Sequence, residues 1–351
     1  IPLAATQVVP PIPYITAMST SLIAALALKQ WGVTSGVIGT KLGRDTAGQK
    51  AIRQLTESGV AGSFKTTSKY RTPLEISIAD KGGNRTYYWD HREEPLSTLD
   101  EADLSMIETA KLLYVDWYDH GHILTALKTA KKAGVPTFFN FEHGHENAEL
   151  LSLYGQYSTI IQGVTDAAQV NIHPEETGER LLKNGASIAL VTLASKGCLA
   201  LTQDESIRVY APKLDVVDGN AAGATFSGGF MYGTLQGWGL ERTTRFAVAA
   251  ASLKCTVVGL AAFPVSEIET LADQLEAARL APAGTPETTG ATPLNHQAAY
   301  PQQRFILSEL QQMLDANEAE NIPAEVVEYI KNTFEARFNG RSVANYENYF
   351  S

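Results

Sequence analysis

Only two of the 351 residues are cysteines, Cys198 and Cys255, and they lie far apart in the chain. Such a pair provides neither a disulfide framework nor a CxxC metal knuckle, which is typical of a reducing compartment. Basic residues are also scarce, since 28 Lys and Arg stand against 38 Asp and Glu, a formal net charge of −10. A field of that sign repels phosphate backbones and acidic lipid, and we find no local basic patch. We therefore expect no direct nucleic-acid binding and no membrane-surface binding.

Long apolar runs are missing as well. No stretch reaches the roughly twenty residues that a membrane-spanning helix requires, and the N-terminal residues lack the charged-then-apolar profile of a signal peptide. With 44% hydrophobic and 19% charged residues, disorder throughout is excluded. We expect a soluble protein of the cytoplasm, or of an organelle stroma if a segment ahead of Ile1 has been removed.

What the sequence does contain is an alternation of β-branched or aromatic runs with amphipathic stretches, from about residue 20 to about residue 280. This alternation predicts parallel strands joined by crossover helices in a doubly wound α/β sheet. The predicted strands are 36–39, 112–116, 136–141, 159–163 and 188–193, and the predicted helices are 21–31, 47–58, 123–133, 148–154, 175–184, 226–236 and 240–258.

Two predicted hairpins interrupt this pattern. Strands at 74–79 and 85–89 flank the turn sequence DKGGN, and a second pair is predicted at 198–202 and 207–210. We expect the first hairpin, within about residues 70–90, to stand outside the main sheet.

The composition changes near residue 281. Residues 281–300 are rich in Pro, Thr, Gly and Ala and read as a linker. Beyond it, 301–316 and 323–338 are predicted helices with Pro at their starts and apolar stripes along one face. The sequence thus predicts a domain over 1–280, a linker over 281–300 and a helical extension over 301–351, which either packs on its own domain or docks on a protein partner or a second copy.

The most informative segment is 216–229, VVDGNAAGATFSGG. A strand is expected to end at Asp218, small residues form a tight turn, and a helix begins near Ala224. The free N–H groups of Ala222, Gly223 and Ala224 at that helix start would favour an anion.

This segment resembles the second signature of the PfkB/ribokinase family of carbohydrate kinases, usually V-V-D-T-T-G-A-G-D-x-F-x-G-G. The resemblance runs from about residue 18 to about residue 280. It includes GTKLGRDTAG at 39–48, similar to the family's G-x-x-G-x-D-x-x-G run, and VTLASKG at 191–197, similar to its nucleotide-side turn. The resemblance implies a ribokinase-like fold with the 74–89 hairpin as a small β lid, and nucleotide-side roles for Thr192, Gly197 and Val248.

The activity that the resemblance implies is transfer of the ATP γ-phosphoryl group to a sugar hydroxyl. The last Asp of the signature is the base in this reaction. Matched residue by residue, Asp218 is the first Asp of the signature and Ala221 stands for its first Gly. Ala224 occupies the position of the catalytic Asp, and a methyl group cannot accept a proton.

Other family positions differ too. Where the family has a G-G-x-x-x-N sugar-binding turn, residues 18–23 read MSTSLI, without the glycines or the asparagine. Where it has an acidic residue that helps to hold the metal, this chain has Ala168, and Asp166 could partly substitute for that acid. We therefore expect a pseudokinase that serves as a scaffold, assembly or regulatory subunit and requires no cofactor, with Mg-ATP bound only if nucleotide binding is retained. The alternative is an active ATP-dependent carbohydrate kinase with Asp218 or Asp166 as base.

A third hypothesis is a metal site. Two polar loops that each contain an HGH run follow neighbouring predicted strands, and such loops share one edge of a doubly wound sheet. Imidazoles and carboxylates there could hold zinc or another divalent ion, with His143 and His145 as the main candidates. The alternative is that both runs are ordinary polar loops, since neither has the spacing of a specific metal motif. The residues concerned are Asp116, Asp119, His120, His122, Glu142, His143, His145 and Glu146.

Overall fold

The computed structural model describes residues 20–73, 75–79, 85–89, 92–164 and 173–280. The chain divides into two compact units. The larger comprises 16–76 and 88–288; the smaller comprises 1–15, 77–87 and 289–351, of which only 77–79 and 85–87 are described.

The strands of the described residues are, in chain order, β1 (Leu42–Gly43), β2 (Thr66–Thr67), β3 (Glu75–Ala79), β4 (Arg85–Trp89), β5 (Leu113–Asp116), β6 (Thr137–Glu142), β7 (Ile160–Val164), β8 (Ile188–Thr192), β9 (Cys198–Leu201), β10 (Ser206–Val209) and β11 (Ala277–Leu280). The helices are α1 (Thr20–Gln30), α2 (Thr46–Ser58), α3 (Glu93–Leu96), α4 (Leu124–Ala133), α5 (Ala148–Gly155), α6 (Pro174–Lys183), α7 (Ala222–Leu235), α8 (Leu240–Lys254) and α9 (Val265–Gln274).

Seven strands form the main sheet, in the order β11-β10-β9-β8-β7-β6-β5. Strands β5 to β8 run parallel to one another. Strands β8 to β11 form three antiparallel pairs, of which β8–β9 and β9–β10 are joined by short turns. A helix connects each parallel strand to the next, because a tight turn cannot join two strands that run in the same direction. All four parallel strands therefore end at the same edge of the sheet.

Both faces of this sheet are covered, so the doubly wound α/β architecture is confirmed. Successive residues of a strand point to opposite faces, and Phe138 and Leu190 belong to one core with α1, α7, α8 and α9. Phe139 and Val191 belong to a second core, which α4, α5 and α6 cover. Burial on both faces explains why these strands read as continuous apolar runs.

The two short sheets are separate from the main one. Strands β1 and β2 pair in parallel, and β3 and β4 form a two-stranded sheet of their own. The strands of the first predicted hairpin are therefore confirmed, whereas its function as a lid stays a prediction.

The structure also corrects several predictions. The predicted strand over 36–39 is wrong: within the described residues only Gly36 pairs there, as an isolated bridge to Ala61. Helix α8 ends at Lys254 rather than at residue 258, α7 begins at Ala222 rather than at residue 226, and neither α9 nor β11 was anticipated. The linker 281–300 and the extension 301–351 lie outside the described residues, so the domain boundary stays a prediction. No helix in the described ranges is both long enough and apolar enough to cross a membrane.

Candidate active site

The turn from Asp218 to the start of α7 is the centre of the candidate site. The helical hydrogen bonds of α7 begin with Thr225 N donating to Ala221 O at 2.9 Å. The expected free amide of Ala222 is wrong, because Ala222 N donates to Gly219 O at 3.4 Å. The amides of Gly223 and Ala224 precede the helical ladder, where N–H groups and the helix dipole favour an anion. Gly223 is exposed, whereas the Ala224 side chain is only 3% exposed.

Asp218 connects this turn to the segment that follows α8. Its Oδ1 accepts a hydrogen bond from Asn220 N at 2.8 Å, and its Oδ2 accepts one from Gly259 N at 2.9 Å. Burial alone would raise the pKa of Asp218, but these two N–H donors and the positive charge of Lys254 lower it below the ordinary aspartate value. A carboxylate held in this way is a weaker base than a free aspartate.

Lys254, on the last turn of α8, supplies that charge, although no motif in the sequence points to it. Its side chain is 1% exposed, and its Nζ donates to the backbone oxygen of Asp218 at 2.8 Å. The same Nζ lies 3.4 Å from Asp218 Oδ2. The two residues are 36 positions apart, so only the fold brings them together.

Two alanines have a left-handed backbone at positions where the family resemblance implies glycine. Ala221, matched to the first Gly of the second signature, has φ 62°, and Ala194, matched to the first Gly of the V-T-x-G-x-x-G nucleotide-side turn, has φ 47°. Left-handed backbone costs an L-residue other than glycine about 1–2 kcal/mol. Both turns thus retain the shape that glycine favours without the residue that adopts it readily.

The nucleotide-side turn joins β8 to β9. Gly197 has φ 89°, and a Cβ built there would lie 2.1 Å from Val209 O, so only glycine fits. Thr192 is the last residue of β8, so it lies at the carboxyl end of the parallel strands. Its Oγ1 donates to Gly163 O, on β7, at 3.4 Å. Val248, on α8, is 4% exposed in a hydrophobic core, so it presents almost no surface to a nucleotide.

The G-x-D-x-x-G run near the start of the chain forms a helix cap. Asp45 precedes α2 and accepts from Gly48 N at 2.8 Å and from Thr72 N at 2.7 Å. A Cβ at Gly43 would meet Thr72 N at 2.4 Å, and one at Gly48 would meet Gly43 O at 2.1 Å. The spacing of this motif therefore reflects N-capping and close backbone packing.

A buried polar network lies at the ends of β5 and β6. Asn140 is fully buried, and its Nδ2 donates to Asp116 Oδ1 and to Glu142 Oε1, both at 2.9 Å. The hydroxyl of Tyr114 donates to the same Asp116 oxygen at 3.0 Å. Burial, together with the neighbouring charge of Asp116, raises the pKa of Tyr114 well above its ordinary value.

Helix α7 is tied to the neighbouring strand β7. Ser227 Oγ lies 2.8 Å from Gln162 Oε1 and 3.0 Å from Gly223 O, and both side chains are fully buried. Sequence reasoning missed this contact and the network around Asn140, because a polar residue inside an apolar strand reveals neither its partner nor its burial.

The loops with the HGH runs gain no support as a metal centre. His145 is 1% exposed, donates through Nε2 to Val164 O at 3.1 Å, and accepts from Arg180 through Nδ1 at 3.0 Å, so both ring nitrogens are bonded. Burial, and to a lesser degree the charge of Arg180, lowers the pKa of His145. His143 lies in the same short 3-10 turn, and in the described ranges no three His, Cys, Asp or Glu side chains are grouped to hold a metal.

In the other loop His122 contacts two carboxylates. Its Nδ1 lies 3.0 Å from Asp100 Oδ1 and its Nε2 lies 2.9 Å from Glu93 Oε1.

Asp166, Ala168 and residues 18–19 of the sugar turn lie outside the described residues. The site residues that the structure does bring together are thus Asp218, Ala222, Gly223 and Ala224, on one turn.

Residues 24–267, well over half of the chain, match the family model for pfkB family carbohydrate kinases. The chain belongs to that family. This pfkB-family protein is 26% identical over 240 residues to an uncharacterized sugar kinase of Archaeoglobus fulgidus, covering 66% of this chain and 94% of that protein. It is 22% identical over 272 residues to an ATP-dependent 6-phosphofructokinase of Thermoanaerobacterium thermosaccharolyticum, covering 73% of this chain and 84% of that protein.

The fold agrees with the same family. The structure of Arabidopsis thaliana ribokinase complexed with ribose and ATP superimposes with a TM-score of 0.59, covering 73% of this chain and 88% of that one. At 20% identity this likeness establishes the ribokinase-like fold of the pfkB-family protein and nothing finer.

Proposed function

We propose that this pfkB-family protein has lost phosphoryl transfer by the family's route and acts as a non-catalytic scaffold, assembly or regulatory subunit. The observation that carries the proposal is Ala224. It occupies the position of the family's base, at the start of α7, and it presents a buried methyl group. Removal of a general base typically slows a reaction by about 10²–10⁴-fold.

The nearest carboxylate on the same turn is a poor substitute. Asp218 accepts hydrogen bonds from Asn220 N and Gly259 N and pairs with the buried Lys254 ammonium. Its lowered pKa makes it less able to take a proton from a hydroxyl. Both features support the loss of the family mechanism.

The turn itself supports retained anion binding. Backbone donors do not depend on side chains, so the amides of Gly223 and Ala224 remain in place when the acidic side chain is absent. The left-handed Ala221 keeps the chain in the conformation that precedes α7. Mg-ATP bound without turnover is therefore compatible with the proposal, as is a protein that binds no nucleotide.

The second candidate is an active ATP-dependent carbohydrate kinase. The observation that favours it is coverage: the chain spans 94% of one sugar kinase and 84% of an ATP-dependent phosphofructokinase. An active enzyme would need a base other than residue 224, and Asp218 and Asp166 are the candidates in the sequence.

The experiment that separates the two candidates measures ADP release from Mg-ATP against a panel of sugars, with the full chain. The proposal predicts no sugar-dependent release. Sugar-dependent release that is abolished in Asp218→Asn or Asp166→Asn, but not in the matched exposed change Asp204→Asn, would establish the active kinase instead.

The partner is part of the proposal too. We assign the contact surface to residues 301–351, whose sequence predicts helices with apolar stripes that suit a protein partner or a second copy. Removing 282–351 should release the chain from a larger complex, as measured by light scattering after size exclusion. A lone monomer whose behaviour is unchanged by the deletion would contradict the scaffold function.

A further inference from the structure

Lys254 is a buried charge to which the family resemblance assigns no role and which the proposed function invokes only for lowering the pKa of Asp218. Its side chain is 1% exposed among the apolar residues of α8, where Phe246, Ala247 and Ala250 are also buried. A buried ammonium is costly unless oxygen atoms replace its hydration. Here both a carbonyl oxygen and a carboxylate do so, and both belong to Asp218.

The backbone on either side of Asp218 is bonded to the same region. Val217 N and Asp218 N both donate to Cys255 O, at 2.8 Å and 3.1 Å. Gly259 N then donates to Asp218 Oδ2 at 2.9 Å. Residues 217–218 are thus joined to residues 254–259 through backbone and side-chain bonds around one ammonium group.

The turn that follows needs such an anchor. Ala221 adopts φ 62°, a conformation that disfavours alanine, and Gly223 is exposed. Strained backbone persists only where the surrounding structure holds it. The bonds to Asp218 and the first helical bond of α7 fix the turn from its two ends.

We infer that Lys254 is a positioning residue: its ammonium is an internal cation that holds the 218–221 turn and so presents the amides of Gly223 and Ala224. This concerns the conformation of the turn and is independent of whether the protein transfers phosphate. It goes beyond the proposed function, since it assigns the turn's conformation to one side chain on another helix.

The test compares amide hydrogen exchange in the full chain and in Lys254→Met, which keeps an unbranched side chain out to the Cε position and removes the ammonium group. We expect exchange at the hydrogen-bonded amides within 218–224, those of Asp218, Asn220 and Ala222, to quicken by at least about tenfold, because the partly buried Asp218 carboxylate loses its cation and its carbonyl loses its donor. Exchange in β8, Ile188–Thr192, should stay unchanged. The matched control is Lys183→Met, since the Lys183 side chain is 76% exposed.

A rescue experiment distinguishes a positioning role from general packing. Lys254→Ala removes three methylene groups and the ammonium, which together match propylammonium. Saturable slowing of exchange at 218–224 by propylammonium, but not by 1-propanol or tetramethylammonium at equal concentration, is the expected result. If Lys254→Ala does not fold, the Lys254→Met/Asp218→Asn double variant replaces it and should exchange more slowly at 218–224 than Lys254→Met alone.

Three results would overturn the inference. The first is unchanged exchange at 218–224 in Lys254→Met. The second is faster exchange that extends equally into β8, which would indicate a general loss of stability. The third is rescue by propylammonium no greater than by 1-propanol and tetramethylammonium, or a double variant that exchanges as fast as Lys254→Met.

Discussion

Replacing Asn140 with leucine removes the shared donor of the buried network at the ends of β5 and β6. Its single amide nitrogen donates to both Asp116 Oδ1 and Glu142 Oε1 at 2.9 Å, and Asp116 is 6% exposed. Hydrogen bonds to charged groups contribute about 1.5–3 kcal/mol each, and a buried acceptor left without its donor is expensive. Leucine is close in size, so a cavity adds little.

Because Tyr114 still donates to Asp116, we expect the lower end of the sum, a loss of about 3 kcal/mol from the free energy of unfolding. Urea unfolding followed by circular dichroism measures this loss. The control is Gln156→Leu, where an exposed amide bonds only Leu153 O at 3.2 Å and a change within about 0.5 kcal/mol is expected. A loss below about 1 kcal/mol for Asn140→Leu would refute the reasoning, since the network would then not hold these strand ends.

Three further predictions concern turns and pH. Ala221→Gly should raise the free energy of unfolding by up to about 1 kcal/mol. Glycine removes the strain of φ 62°, and its larger loss of backbone entropy on folding offsets part of that gain. An unchanged or lower urea midpoint would contradict this prediction. Gly197→Ala should lower the free energy of unfolding by at least about 2 kcal/mol, since its Cβ would lie 2.1 Å from Val209 O; a melting temperature equal to that of the parent would be inconsistent with that contact. Burial opposes the charged form of His122, yet its hydrogen bonds with Asp100 and Glu93 raise the pKa of the imidazole above its ordinary value of 6.5. The stabilisation from charged His122 is then complete below pH 6.5 and is lost as pH rises through the folded-state pKa. The free energy of unfolding of the parent should therefore exceed that of His122→Gln by more at pH 5.5 than at pH 8.5. A difference that grows with pH would contradict the assignment.

Much of the fold could be predicted because it depends on local sequence patterns. Strands β6 and β8 read as apolar runs since helices cover both faces of the sheet, and each was placed within one or two residues. Strand β11 was missed because its sequence AARL is partly exposed and poor in β-branched residues, so tertiary pairing with β10 decides its conformation. The predicted strand at 36–39 lacked that pairing and forms a single bridge.

In the candidate site, too, features set by local sequence could be predicted, whereas features set by tertiary contacts could not. The turn before α7 could be located because small residues and an aspartate precede a helix in one contiguous segment. The prediction that a strand ends at Asp218 is wrong, since β10 ends at Val209 and no strand lies in the described residues between it and α7. Lys254 could not be assigned, since its partner lies 36 positions earlier and its burial follows from the packing of α8. The HGH run makes His145 a metal candidate in the sequence, because a sequence does not show that Val164 and Arg180 bond both ring nitrogens.

The central claim is that Ala224 leaves the family's turn without a base. The most direct measurement is calorimetric titration of the full chain with Mg-ATP and a non-hydrolysable analogue, with ADP release followed in parallel against a sugar panel. The account predicts either nucleotide binding with no sugar-dependent ADP release or no binding at all. Sugar-dependent ADP release that saturates with both ATP and one sugar would contradict it.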